Sequence, residues 1–278
     1  MQSRSYRRPV GILVWMLMSI VGCSTWKTPD ELSGPARLPQ TRMSKDSVGV
    51  EIATITFDTR DVSIPDGIRL ELDEQVLDPN QRRHLSLNGI VGGSLGTHLP
   101  SQIQLLLMES AYRREHPTAE NQVDAADQQR FVQIREGKKV RIDFWPAIGN
   151  LSLMHHDGEL DVPDLFEQAT SFFTLRSKPN GANSALVTLT PEIQHGPLRQ
   201  QYVAGQNSFH MAAAQETAKF AGAEMVLPIS SGETLLFTCN QLKGKLGQAM
   251  FRNATGTRQK ILLIRLAQTQ VELSFEDE

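Results

Sequence analysis

The sequence predicts an α+β fold, a small N-terminal β-α-β-α unit followed by a β-rich C-terminal unit. Three observations carry this expectation. Helix-start and helix-stop signals concentrate between residues 71 and 112. Beyond residue 128 short apolar runs are separated by turn dipeptides, Glu136-Gly137, Asp157-Gly158 and Asn180-Gly181. The chain has 278 residues and is 40% hydrophobic, enough for one large core or two small ones.

The first folded element begins at Ser47. Val48, Val50 and Ile52, then Ala53, Ile55 and Phe57, form a β-rich run expected to be buried on both faces. Glu71 to Leu77 reads as a short helix. Asp78-Pro79 reads as an N-cap with proline at the first helical position, and Asn88-Gly89 as the stop after Leu87. Ile90 to Leu95 reads as a strand. Leu99-Pro100-Ser101 opens a helix whose apolar face is Ile103, Leu105, Leu106 and Met108. Residues 47–115 thus form the small unit, and the polar, Ala/Asp-rich stretch from Pro117 to Ala126 is a linker.

From residue 128 strands are expected. Arg130–Arg135 and Lys138–Phe144 flank Glu136-Gly137 as a hairpin. Ser152–His155 and Glu159–Val162 flank Asp157-Gly158, and Phe172–Ser177 and Ala185–Thr190 flank Asn180-Gly181. Glu224–Leu227, Thr234–Thr238 and Lys260–Ala267 complete the set, with Ile261 to Ile264 as a central strand. The acidic end, residues 272–278, is a solvated tail.

The N-terminus carries a different signal. Arg4, Arg7 and Arg8 precede the uncharged run Val10–Gly22, which has the length of a signal-peptide hydrophobic region and is too short to span a bilayer. It ends in Ile20-Val21-Gly22-Cys23, which resembles the lipobox of bacterial lipoproteins. The resemblance implies cleavage after Gly22, a diacylglyceryl thioether on Cys23 and acylation of the new amine. Two or three acyl chains hold a protein stably, where one does not. Ser24 follows the cysteine and, by the sorting rule of enteric bacteria, implies the outer membrane. Residues 24–46, with Pro29, Pro35 and Pro39, read as a semi-extended tether. Residues 41–48 also resemble the start of uncharacterised planctomycete lipoproteins.

Four stretches of the second half resemble, in order, the core domain of bacterial secretins, the outer-membrane rings of type II and III secretion. They are Phe131–Val140, Leu186–Ile193, Ile229–Leu236 with its Gly-Glu-Thr turn, and Lys245–Arg252 with Arg258–Ile264. The resemblance covers about residues 128–271. Thr238-Cys239-Asn240 stands where secretins carry Gly-Gly-Leu, and residues 194–222 lack the alternation that pore hairpins need.

Composition and motifs bound the chemistry. The net charge is −3, and removal of residues 1–22 leaves 25 basic and 31 acidic side chains, a charge of −6. Such a mildly acidic surface does not attract phosphate backbones, so nucleic acid is not an expected partner. If Cys23 carries lipid, Cys239 has no disulfide partner, and its strand setting reads as a buried, inert thiol. His155-His156-Asp157 sit side by side on a strand and point to opposite faces, so they read as a polar hairpin end and not as metal ligands. The remaining histidines, and the acid pairs Asp73-Glu74 and Asp161/Asp164, read as solvated surface. Gly89 to Gly96 lacks both phosphate-loop patterns and reads as tight packing. Within it Gly92-Gly93-Ser94-Leu95-Gly96 matches a nucleophile-elbow spacing, without the acid and histidine order of a hydrolase.

The expectation from sequence is therefore a non-enzymatic, lipid-anchored envelope protein with no cofactor and no metal. It faces the periplasm, is held by Cys23, and binds an envelope protein or itself. The alternatives are a pore-forming secretin-like oligomer and a serine hydrolase centred on Ser94.

Overall fold

In a computed structural model, the structure describes residues 46–60, 68–116, 127–146, 148–204, 209–240 and 244–270. The chain divides into two compact units, Met1–Arg42 and Met43–Glu278, and every described residue lies in the second. Gly22 and Cys23, the tether to residue 45, the linker at 117–126 and the acidic tail lie outside the described residues.

The fold is mixed and strand-rich, and every pairing between its named strands is antiparallel. The strands are β1 (Ser47–Asp58), β2 (Ile90–Ser94), β3 (Gln129–Arg135), β4 (Val140–Asp143), β5 (Ile148–His156) and β6 (Asp161–Pro179). They continue with β7 (Ser184–Ala204), β8 (Phe209–Lys219), β9 (Met225–Ser230), β10 (Thr234–Cys239) and β11 (Arg258–Gln270). The helices are α1 (Pro79–Leu87), α2 (Ser101–Glu115) and α3 (Leu246–Phe251). One sheet runs β2-β10-β11-β1-β3; the other runs β4-β6-β7-β8, with β5 on β6 and β9 on β7.

The two sheets enclose the main core. Val48, Val50 and Ile52 of β1 and Leu262, Ile264 and Leu266 of β11 meet Phe173, Leu175, Val187 and Leu189 of the second sheet. A second core lies on the other face of the first sheet. There Ile55, Phe57, Ile261 and Leu263 pack under Ile103 and Leu106 of α2 and under Ile68 and Leu72. β1 reads as buried on both faces because alternate residues serve the two cores.

α1 forms as its caps dictate. Asp78 accepts from the N–H groups of Asn80 and Gln81, proline occupies the first turn, and Asn88 ends the helix. The expected helix at Glu71–Leu77 is shorter: a helical turn ends at residue 71, and Glu74–Val76 is a single 3₁₀ turn capped by Asp73.

Three expectations change. The strands of the segment 47–115 do not pair with each other; β1 pairs with β11 and β3, and β2 with β10. Arg130–Arg135 and Lys138–Phe144 do not form a hairpin. The turn is present, with Gly137 at φ 77° and Lys138 N–H bonded to Arg135 O, but β3 joins β1 while β4 joins β6. Both strands supply the inter-sheet core, through Ile134 on one side and Ile142 on the other, so the chain turns a corner between sheets. Residues 194–204 and 209–219, given no strand from sequence, belong to β7 and β8, which pair back to Glu192↔Lys219 with a bulge between His195 and Arg199.

Candidate functional site

β6 and β7 form one long hairpin that forks. They pair from Pro179↔Ala185 to Thr170↔Gln194. Below that point β6 turns away with β5, over Asp161 to Ala169, and β7 turns away with β8, over Arg199 to Ala204. The fork has a backbone cause. Gln168 has φ 51°, and a bulge between His195 and Arg199 contains Gly196 at φ 76° followed by Pro197. Between the arms the rings of Phe166 and His195 lie 4.8 Å apart, and Phe220 stands edge-on to both Phe166 and His155.

The β7–β8 arm is a two-stranded ribbon. Leu198 and Met211 are exposed on it, and Arg199 and Glu216 form an exposed ion pair across it at 3.1 Å. An ion pair this exposed contributes about 0–1 kcal/mol and adds little to stability.

The β5–β6 arm carries the predicted histidines and acids. His155 Nδ1 lies 2.9 Å from Asp164 and His156 Nδ1 lies 3.4 Å from Asp161. The two imidazoles part to opposite faces, as strand geometry requires: His155 packs on Phe220 and His156 on His84. Lys245 Nζ reaches Asp161 at 2.7 Å, and this hydrogen bond holds the Asp161 carboxyl below the usual range. Asp157 is held low mainly by the N–H of Leu160 and then that of Glu159. Asp157 and Asp161 are exposed and Asp164 is half-buried, so these acids sit on the solvent side of the arm with local hydrogen bonds to Asp157 and Asp161. Among the described residues no group of three or more His, Cys, Asp or Glu side chains is arranged to hold a metal ion.

Asn88, expected only as a helix stop, does more. Its buried side chain donates to His84 O and His156 O and accepts from His156 N–H, at 2.8–3.0 Å. It clamps the end of β5 onto α1.

Ser94 sits at the end of β2, buried. Its hydroxyl donates to Glu233 Oε1 at 2.5 Å and accepts from Gly96 N–H at 3.0 Å. Glu233 also accepts from Ser230 N–H at 2.9 Å. The serine proton is thus committed to the carboxylate that ties down the Gly-Glu-Thr turn, and no histidine contact accompanies it among the described residues. The geometry is that of a turn lock. Gly92 and Gly93 serve packing, while Gly96, at φ 70° with open space around it, serves the turn: a Cβ on Gly93 would lie 2.4 Å from Asp73 O, where Asp73 and Ser94 exchange backbone hydrogen bonds along the edge of β2.

Cys239 is a free, buried cysteine, and burial pushes its thiol up to about 11. It is a protonated thiol at neutral pH and a poor nucleophile. A cavity of about 50 Å³ lies between Arg69, Arg82, Glu74, Ser86 and Asn240. Small-molecule sites occupy about 300–1,000 Å³, so this space suits water. No described helix is long and apolar enough to cross a membrane. No family model, no curated protein and no solved structure matches the chain.

Proposed function

We propose that the chain is a lipid-anchored envelope protein whose role is structural or protein-binding. It is cleaved after Gly22, held to the outer membrane by acyl chains on Cys23, faces the periplasm and works alongside secretion machinery. In this reading residues 128–271 act as a secretin-core-like unit, and residues 47–115 complete its first sheet and cover it.

The observation that carries the proposal is the forked β7–β8 ribbon. Its exposed Leu198, Met211 and Arg199–Glu216 pair present apolar and charged groups together, the mixture of a protein-docking surface. The side chains a catalytic reading would use are otherwise engaged: Ser94 with Glu233, and the Cys239 thiol by burial. The test is a photo-crosslinker at position 211 in native membranes, with position 83 on the exposed side of α1 as control. A discrete crosslinked species at 211, absent at 83 and lost on Leu198→Glu, supports the proposal. Equal, diffuse crosslinking at both sites overturns it.

A second reading, a pore-forming oligomer, draws on the same ribbon, since paired strands are the elements a barrel is built from. Particle size in detergent separates the two. A monomer rules out the pore.

A further inference from the structure

The layer that covers the first sheet is apolar on its outward side as well as its inward side. Ile68, Leu72, Ile103 and Leu106 face the sheet and are buried. On the same short helices Leu70 is 89% exposed, Leu105 65%, Met108 69% and Tyr112 63%. Leu105, Met108 and Tyr112 follow an i, i+3, i+7 spacing and share one stripe of α2. A helix that merely covers a sheet carries polar groups at these positions.

We propose that this outward face of α2 rests on the lipid surface to which Cys23 is anchored. The proposal rests on the lipoprotein reading above and adds an orientation to it.

Two observations select lipid as the occupant. The first is reach. Residues 24–46 number 23, and even at full extension they hold β1 within about 80 Å of Cys23, so a unit anchored there has the bilayer within reach. The second is the chemistry of the stripe. Leucine and methionine alternate with Gln102, Gln104 and Glu109, and the Tyr112 ring at one end stacks on His116 at 4.4 Å beside Arg113 and Arg114. Aliphatic side chains with an aromatic and arginines at the rim are the composition of a helix lying in the headgroup region. Arg113 is spoken for by Glu109, Thr56 O and Asp127, and Glu71, Glu109 and Glu115 offset the other arginines. The attraction is therefore apolar, and added salt leaves it unchanged.

The test uses the lipidated full chain in vesicles of phosphatidylethanolamine with a minor fraction of phosphatidylglycerol. An environment-sensitive fluorophore is placed at Met108→Cys, with Met211→Cys as comparison. Cys239 is buried and protonated and stays unlabelled. Nitroxide-bearing lipid quenches the label at 108 and spares the one at 211, aqueous iodide does the reverse, and 0.5 M salt changes neither. Adding Leu105→Glu, an exposed change that the fold tolerates, abolishes lipid quenching at 108. Equal iodide quenching at both positions overturns the proposal. So does protection from iodide without lipid quenching, the signature of a second copy or another protein on the stripe. Intact mass of the mature chain separates this from failure of the anchor: an unlipidated N-terminus sinks the lipoprotein reading itself.

Discussion

Asn88→Ala removes the clamp between α1 and β5. The substitution deletes three hydrogen bonds, to His84 O, to His156 O and from His156 N–H. A typical intramolecular hydrogen bond contributes about 1 kcal/mol net, and a buried backbone group left without a partner costs about 1–3 kcal/mol. His84 O keeps a second donor, Asn88 N–H, whereas both groups of His156 lose this partner. The region is part-buried, so water recovers some of the loss, and the expected destabilisation is about 2–3 kcal/mol. Asn88→Asp retains only the acceptor and sets a carboxylate against two carbonyls, so it destabilises at least as much. The assay is urea unfolding of the compact unit Met43–Glu278, read as a lower midpoint at unchanged slope. For a unit of this size the same loss lowers Tm by about 2–4 °C per kcal/mol. A change below about 0.5 kcal/mol in both variants would refute the clamp, because no surface substitution need cost more.

Three further outcomes follow from packing and burial. The Cys239 thiol is raised from its ordinary 9.0 to about 11, so the fold favours the protonated form. Its contribution is complete below about pH 9 and is lost as pH rises towards 11, by roughly 2–3 kcal/mol, and a Cys239→Ala chain lacks that part of the alkaline slope; coincident stability curves for the two chains across this window contradict the burial argument. Glu233→Ala and Ser94→Ala each lower stability by about 1–2 kcal/mol, and their double-mutant cycle gives a coupling above about 0.5 kcal/mol. A serine-reactive probe that labels the native chain at Ser94 would reverse the turn-lock assignment. Gly93→Ala drives a Cβ to 2.4 Å from Asp73 O and costs about 1–3 kcal/mol, measured by thermal unfolding; a neutral result would mean that the Asp73 bridge is not formed in solution.

What the sequence reveals of this fold divides by range. α1 is readable because its signals are adjacent to it, Asp78-Pro79 before and Asn88-Gly89 after. The β5–β6 and β6–β7 turns are readable for the same reason, and their strands pair as expected. The partners of β1 are not readable. A run buried on both faces announces a central strand, yet Ser47↔Gln270 pairs residues far apart in sequence, and no local pattern states it. The β3–β4 turn misleads because a turn dipeptide specifies only the backbone reversal; which sheet each strand joins is decided by where Ile134 and Ile142 find their core. The β7–β8 ribbon escapes because apolar–polar alternation is the signal that marks a strand, and its run of glutamines and alanines carries none. Asn88 shows the same limit at a single residue: its place as a helix stop is local, while its hold on His156 depends on the fold.

The placement of the two surfaces in different layers sharpens the choice between anchor and pore. The apolar stripe of α2 lies over the outer face of the first sheet, while the ribbon is an extension of the second sheet, on the far side of the main core. A molecule seated on lipid through α2 makes that contact through the first sheet's cover and leaves the ribbon of the second sheet free to meet a protein. A molecule that used β7 and β8 to enter the bilayer would put lipid around Met211 and leave Leu105 and Met108 facing water. The two arrangements make opposite demands on the same pair of labels: the first puts lipid at 108, the second at 211. Lipid contact at 108 with crosslinking to protein at 211 therefore supports the anchored, protein-binding role on both counts, and lipid contact at 211 transfers the case to the pore.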